Sequence, residues 1–400
     1  MGSVVSPLHR VWRLLPARQR RSLLWRSAAL LAPRPDAVAP VARSGVAVAG
    51  ELGVASGLGE GARLMLRALD SLAVARWAVD VGSMLQRAVD PVPDLPDGVP
   101  LVLHVNSPQL PAMLRRLPRG YLKARRIIGY WAWELPEIAP DWRVGCDFVH
   151  EAWAPSRFTA SALEKVLPGR VRVVPHAVAV APPVPSALDR AAFGLGRDAV
   201  VTLVSFSLAS SFVRKNPLAA IAAHRLAFGE RPDRVLVLKV SGADHDAGGL
   251  AQLHDAVGGA TNIRVETREF SAADAHALTA CADMVLSLHH SEGFGLVLAE
   301  AMMLGRPVVA TGWSGNMDFM DENSAALVGF TLAAPDDPRG VYQAKGALWA
   351  DPDIGEAAAH LRRLADDPGE RGALGARGHA MALQRLDAAP LAAALEAIGL

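Results

Sequence analysis

The sequence predicts an α/β protein made of two doubly wound halves that face each other across a cleft, preceded by a basic helical extension. Three observations predict it. From residue 44 on, short apolar runs alternate with stretches of helical period. An Ala-, Val- and Pro-rich stretch, residues 177–185, splits that series into two parts of similar length. The 400 residues suit two or three domains of about 100–200 residues each.

The elements follow in order. In the first half, strands are expected at 46–49, 76–79, 101–105, 126–130, 148–154 and 171–174, with a helix at 62–72. A proline-rich acidic loop covers 91–100. In the second half, strands are expected at 200–206, 235–240, 263–267, 284–288 and 307–311. Helices fall at 217–227, 248–257, 272–281, 297–304, 354–365 and 371–383. The boundaries are an extension over 1–40, a first domain over 44–180, a second over 186–383, and a final helix over 384–400 that packs back on the first domain. Ligands of open parallel sheets sit at the carboxyl ends of the strands, here in the cleft.

Composition narrows the function. Lys and Arg total 41 against 40 Asp and Glu, which argues against a general nucleic-acid binder. The two cysteines, Cys146 and Cys281, make neither a disulfide scaffold nor a CxxC site, and they fit a reducing cytosol. Residues 1–35 hold seven arginines and no Asp, Glu or Lys, interleaved with leucines and tryptophans. Arginine interrupts every apolar run, so this is neither a membrane span nor a signal peptide. Two readings stay open: a segment lying on an anionic membrane surface, or a helix packed on the protein with its arginines in water. Pro16 divides it into two short helices.

The richest stretch runs from Leu286 to Met302. A strand ends near Leu288, a loop carries His289, His290, Ser291, Glu292, Gly293, Phe294 and Gly295, and a helix opens at Leu296. The glycines allow close approach to a ligand, and the helix N-terminus suits a phosphate. Glu292 and Glu300 suit hydroxyl-rich ligands, because each carboxylate accepts several donors. Downstream of a strand at 200–206, Ser210, Arg214 and Lys215 precede Pro217, a residue suited to the first turn of a helix. Lys215 supplies a point charge for phosphate. Lys239 ends a very apolar strand and is expected to face the cleft, since burying it unpaired is costly.

Glu292-Gly-Phe-Gly-Leu-Val-Leu-Ala-Glu300 resembles the E-x7-E signature of retaining family 4 glycosyltransferases, which have the GT-B fold. Arg306-Pro-Val-Val-Ala-Thr-Gly-Trp-Ser-Gly-Asn-Met-Asp318 and Trp349-Ala-Asp-Pro-Asp353 resemble later landmarks of its bacterial polysaccharide branch. The resemblance implies that Glu292 contacts the donor sugar. It assigns the amides of Gly293, Phe294, Gly295 and Leu296 to sugar hydroxyls and phosphate, and Glu300 to the ribose. Lys215 matches the family's diphosphate lysine, whereas Ser210 stands where an arginine is usual; Arg214 or Lys239 could compensate. The loop carrying Ser56, Gly57 and Gly59 resembles the one that closes over the donor phosphates. Gly57, Gly59 and Ala62 also satisfy G-x-G-x-x-A with Asp80 downstream, so an NAD- or flavin-dependent oxidoreductase is an alternative.

On the acceptor side, Trp131 and Trp133 are candidates to stack on sugar rings or to fill the core, and His104 is a candidate cleft residue. Glu134 stands where the family often has a histidine, which makes it a candidate for acceptor binding or proton handling. His289 and His290 have no third ligand at metal-site spacing, and the resemblance implies that neither metal nor other cofactor is needed. The resemblance implies a retaining hexosyltransferase of bacterial surface polysaccharide synthesis, with GDP-mannose as first donor and a lipid-linked oligosaccharide as acceptor. It places the protein in the cytoplasm, peripheral at the inner face of the plasma membrane. Retention would come from front-face attack, the departing phosphate taking the acceptor's proton. A catalytically inactive scaffold of the same fold is a further alternative.

Overall fold

A computed structural model describes residues 15–82, 92–342 and 344–400. Residues 1–14, 83–91 and 343 lie outside it, and with them the first 14 residues of the expected basic extension, Arg10 and Arg13 included. A helix α1 (Ala17–Leu31) leads into the first half, which contains β1 (Val46–Gly50), α2 (Gly57–Ser71), β2 (Arg76–Asp80), β3 (Leu101–Leu103), α3 (Leu110–Leu114), β4 (Ile127–Tyr130), β5 (Glu151–Ala154), α4 (Arg157–Leu163) and β6 (Val171–Val173). The second half contains β7 (Val200–Ser207), α5 (Phe212–Lys215), α6 (Pro217–Phe228), β8 (Arg234–Ser241), α7 (Ala247–Val257), β9 (Ile263–Glu266), α8 (Ala272–Cys281), β10 (Met284–Ser287), α9 (Leu296–Met303), β11 (Val308–Thr311) and β12 (Ala326–Val328). A hairpin of β13 (Phe330–Ala333) and β14 (Trp349–Pro352) follows, then α10 (Ile354–Asp366), α11 (Pro368–Arg385) and α12 (Ala389–Glu396).

Each half is a six-stranded parallel sheet covered by helices on both faces. The inner strands are apolar because both of their faces are buried, while the edge strands β2, β6 and β9 are partly exposed. The first sheet has the order β2-β1-β3-β4-β5-β6, and the second β12-β11-β10-β7-β8-β9. The order reverses between β1 and β3 in one sheet and between β7 and β10 in the other. At such a switch point the adjacent loops leave the sheet in opposite directions and open a crevice. The loops after β7 and β10 carry Lys215 and Glu292, so topology brings together residues 77 positions apart.

Several elements depart from the sequence reading. The strand expected over 148–154 is confined to β5, because Pro140–Phe148 forms a run of 3-10 turns with Trp142 and Phe148 buried. The helix expected from residue 62 begins at Gly57: Ser56 Oγ accepts the Gly59 N–H at 3.0 Å and caps the first turn. The strand β12 and the hairpin escaped the pattern, one being three residues long and the other pairing segments far apart in sequence.

The chain does not leave the halves separate. Ala388, Leu391, Ala394 and Leu395 of the last helical stretch lie in one apolar cluster with Val46, Val48 and Leu66 of the first half. Tyr342, Ala347 and Trp349 of the hairpin region join the first half's core. The Ala-Val-Pro stretch is packed rather than free, with Val178 buried and the Ala179 N–H donating to Leu386 O.

Candidate active site

The loop from His289 to Gly295 is clamped from every side. His289 lies 2.9 Å from Ser287 Oγ and 3.1 Å from Asn316 Oδ1, and its carbonyl accepts from Thr311 Oγ1. His290 stacks on Trp349, ring centroids 4.4 Å apart, and lies 2.7 Å from Ala350 O. The two histidines therefore hold the loop. Among the described residues no three His, Cys, Asp or Glu side chains gather as a metal site. The Glu292 N–H donates to Ser314 Oγ at 2.8 Å, and its carbonyl accepts from the Gly315 N–H. From the first half, Ser156 Oγ donates to Gly293 O at 2.6 Å. A side chain at Gly293 would meet Trp133 O at 3.2 Å, so glycine lets the two halves close here.

Glu292 is the charge centre. Its Oε1 pairs with Lys215 Nζ at 2.5 Å and its Oε2 with Arg214 Nη1 at 3.1 Å. Burial opposes ionisation, but the two cations outweigh it and hold the carboxyl far below the usual carboxylate range. Arg214, only 3 % exposed, spends its whole fork: Nε on the Tyr342 hydroxyl (3.0 Å), Nη1 on Ser291 O (2.6 Å), Nη2 on Ser210 Oγ (2.9 Å). It thus brings a guanidinium to Ser210, where the resemblance expects an arginine. Glu134 reaches across from the first half, 3.7 Å from Arg214. Burial raises its pKa, and Arg214 opposes that rise.

Ser205, Lys215, Ser287, Glu292 and Gly295 line a crevice of about 20 Å³ between β7 and β10, room for about one water. Gly295 caps α9 with φ 100° and without a side-chain hydrogen bond, which leaves first-turn N–H groups beside the crevice. Phe294 packs under it against Phe319 and against His176 of the first half. Glu300 lies on α9, 3.9 Å from His276, whose pKa Glu300 raises against the effect of burial. Gly57, with open space around it, and Gly59 lie in the first turn of α2 rather than in a free loop.

Lys239 and His104 need correction as cleft residues, and for Trp131 and Trp133 the structure decides in favour of the core. Lys239 does not join the Lys215–Glu292 pair: it sits 4.9 Å over the Phe270 ring and donates to Val240 O, with Glu266 and Glu269 as its opposing charges. Trp131 is fully buried against Trp142, and so closed to a sugar. Trp133 is also buried, between Trp142 and Tyr342. His104 is buried, stacked on Tyr130 at 4.2 Å with Met65 Sδ at 3.4 Å, and does not face the cleft. Asp80, the acid of the dinucleotide reading, accepts the Leu52 and Gly82 N–H groups with its Oδ1. Sequence reasoning missed Tyr342, Ser314 and Ser156. The last two sit in recognisable loops, but Tyr342 carried no local signal.

A family model described as family 4 glycosyltransferase in conflict systems matches residues 162–372, more than half of the chain. A D-inositol 3-phosphate glycosyltransferase of Kineococcus radiotolerans is 39 % identical over 98 residues, which cover 24 % of this chain and only 19 % of that relative. The Anabaena HepE structure with UDP-glucose superposes with a TM-score of 0.62 at 13 % identity, covering 89 % of this chain and 99 % of HepE. A Rickettsia africae glycosyltransferase gives 0.62 at 10 % identity, covering 89 % and 98 %. With two parallel sheets facing across a cleft in the GT-B arrangement, the chain belongs to the family 4 glycosyltransferases in conflict systems.

Proposed function

We propose that the chain is a retaining hexosyltransferase that takes a sugar from a nucleoside diphosphate sugar bound at the β7/β10 switch point. One observation carries this reading: Glu292, Lys215 and Arg214 form a single charge cluster beside the open N-terminus of α9. The diphosphate is placed against Lys215 and the first-turn amides, the sugar against Glu292, and the ribose against Glu300. Both oxygens of Glu292 are ion-paired, which suits a carboxylate that steadies positive charge on the sugar rather than one that attacks it. Transfer then proceeds on one face. The bond from the anomeric carbon to the diphosphate breaks, the acceptor hydroxyl forms the new bond, and its proton passes to the departing phosphate. No metal or other cofactor takes part in this scheme.

The acceptor side is assigned to the first half, with Glu134 nearest the cluster. A lipid-linked oligosaccharide suits the basic apolar face described in the Discussion. GDP-mannose is the first donor to test, and UDP-glucose the second because HepE is seen with it. A ligand that binds only the folded state raises its melting temperature. In a thermal-shift and turnover panel of GDP-, UDP- and ADP-sugars, one donor is expected to raise Tm selectively and to be turned over. Lys215→Ala is expected to lower that turnover about 100-fold, the loss typical of one preorganised electrostatic partner. Selective binding without turnover would instead support the inactive scaffold, and silence from every donor would overturn the reading.

A further inference from the structure

The segment between β13 and β14 has no role in the scheme above, yet it reaches the charge cluster. Asp337, 1 % exposed, accepts the backbone N–H groups of Arg339 (3.0 Å), Val341 (2.5 Å) and Tyr342 (3.0 Å). This knot turns the chain back across residues 210–215. Arg339 Nη1 donates to Ser210 O at 2.5 Å, and Arg339 O accepts from Arg21 of α1. Beyond the turn, the Tyr342 ring lies 5.7 Å from Trp133 and is 5 % exposed. Its hydroxyl accepts Arg214 Nε–H at 3.0 Å and lies 3.5 Å from Glu134 Oε2, to which it can donate.

We infer that Tyr342, held by the Asp337 knot, is a positioning residue that couples Glu134 of the first half to Arg214 of the second, and so steadies the aim of Arg214 and favours the carboxylate of Glu134. Ser210, Ser291 and Glu292 hold the two Nη groups of the planar guanidinium, and the Nε bond to Tyr342 adds the remaining edge to that orientation. Glu134 is faced by Arg214 and Lys215 from α5, Glu292 from the loop after β10 and Tyr342 from this segment. Arg214, Lys215 and the Tyr342 hydrogen favour its carboxylate, while Glu292 and burial disfavour it. Removing the hydroxyl therefore strands a buried Nε–H and moves Glu134 toward its neutral form. The inference rests on the transferase reading for its consequence in turnover, but not for its physical core.

The test uses the full chain with Tyr342→Phe, Glu134→Gln and the double variant. A carboxyl whose pKa is raised in the folded state costs stability as pH rises from its unfolded value through its folded one. The loss of Tm between pH 4.5 and pH 7.5 is expected to be larger in Tyr342→Phe than in the wild type, and this excess should vanish in the Glu134→Gln background. With the donor that the wild type turns over, Tyr342→Phe is expected to lower kcat about tenfold with donor KM changed less than about threefold, and to move the acid limb of the profile to higher pH. An unchanged Tm profile in Tyr342→Phe overturns the inference. So does an excess that persists beside Glu134→Gln. Failure of the wild type to turn over any donor strikes the transferase reading alone, because the Tm comparison decides the coupling without it.

Discussion

At the scale of single residues, Ser314 shows most plainly how this site is held. Its backbone lies at φ 83° and ψ −149°, a region that glycine occupies freely and that costs other residues about 1–3 kcal/mol. Glycine would relieve that strain but would lack the hydroxyl that receives the Glu292 N–H. Ser314→Gly is therefore expected to keep or raise Tm while lowering donor turnover. Differential scanning fluorimetry beside a turnover assay checks this, and unchanged turnover would show that the hydroxyl does not matter. Glu292 and Lys215, which the structure pairs, stood out in the sequence, Glu292 by its flanking glycines and its spacing to Glu300, and Lys215 by the proline that opens the next helix. The roles of Trp131, Trp133 and His104 were not legible. An indole or imidazole at the end of a strand has the same local pattern in a core as in a cleft, and only neighbours distant in sequence decide between them.

At the scale of elements, α2 and the chain at His176 show how the halves are fitted. A side chain at Gly61 would lie 2.4 Å from His176 Cε1. The ring cannot retreat, because Tyr130 and Phe294 bracket it. Burial pushes its pKa down to about 4. Its folded pKa lies below the unfolded one, so its neutral form supports the fold above about pH 6.5 and that support is lost as pH falls toward 4. Gly61→Ala is expected to destabilise by about 1–3 kcal/mol, as overpacking does, and to weaken donor binding through Phe294. Denaturant unfolding with donor titration would measure both, and wild-type stability would show that the ring moves aside. The start of α2 shows what pattern reading loses. Glycines weaken helix propensity, yet the Ser56 cap draws Gly57 and Gly59 into the first turn.

At the scale of the whole molecule, Ser156 and Thr159 of the first half bond to Gly293 O of the second, and β13–β14 and α12 are the pieces that cross between the halves. The outer face of the first half has a second feature. Leu23, Leu24, Leu30 and Leu31 of α1 are 49–86 % exposed, although neighbouring Ala28 is buried. Arg26 flanks them, and the adjoining α3 leads into exposed Arg115, Arg119 and Lys123. Leucines in water between cations fit the proposed anionic bilayer surface. No helix among the described residues is long and apolar enough to cross a membrane. Replacing these four leucines with serine is expected to abolish co-sedimentation with vesicles containing anionic lipid, leaving Tm unchanged. Retained sedimentation would overturn the membrane reading.

By itself the sequence determined the alternation of strands and helices, the two-part division and the E-x7-E loop with its lysine. These are local: burial on both faces, capping and close backbone approach each leave a mark within about ten residues. Only the tertiary structure decided that Arg214 stands in at Ser210, that the tryptophans are core, and that Tyr342 closes the charge cluster. Those outcomes depend on which strands are neighbours and on how far the halves close. Such pairings join residues as far apart as Glu134 and Tyr342, and no local pattern of side chains encodes them.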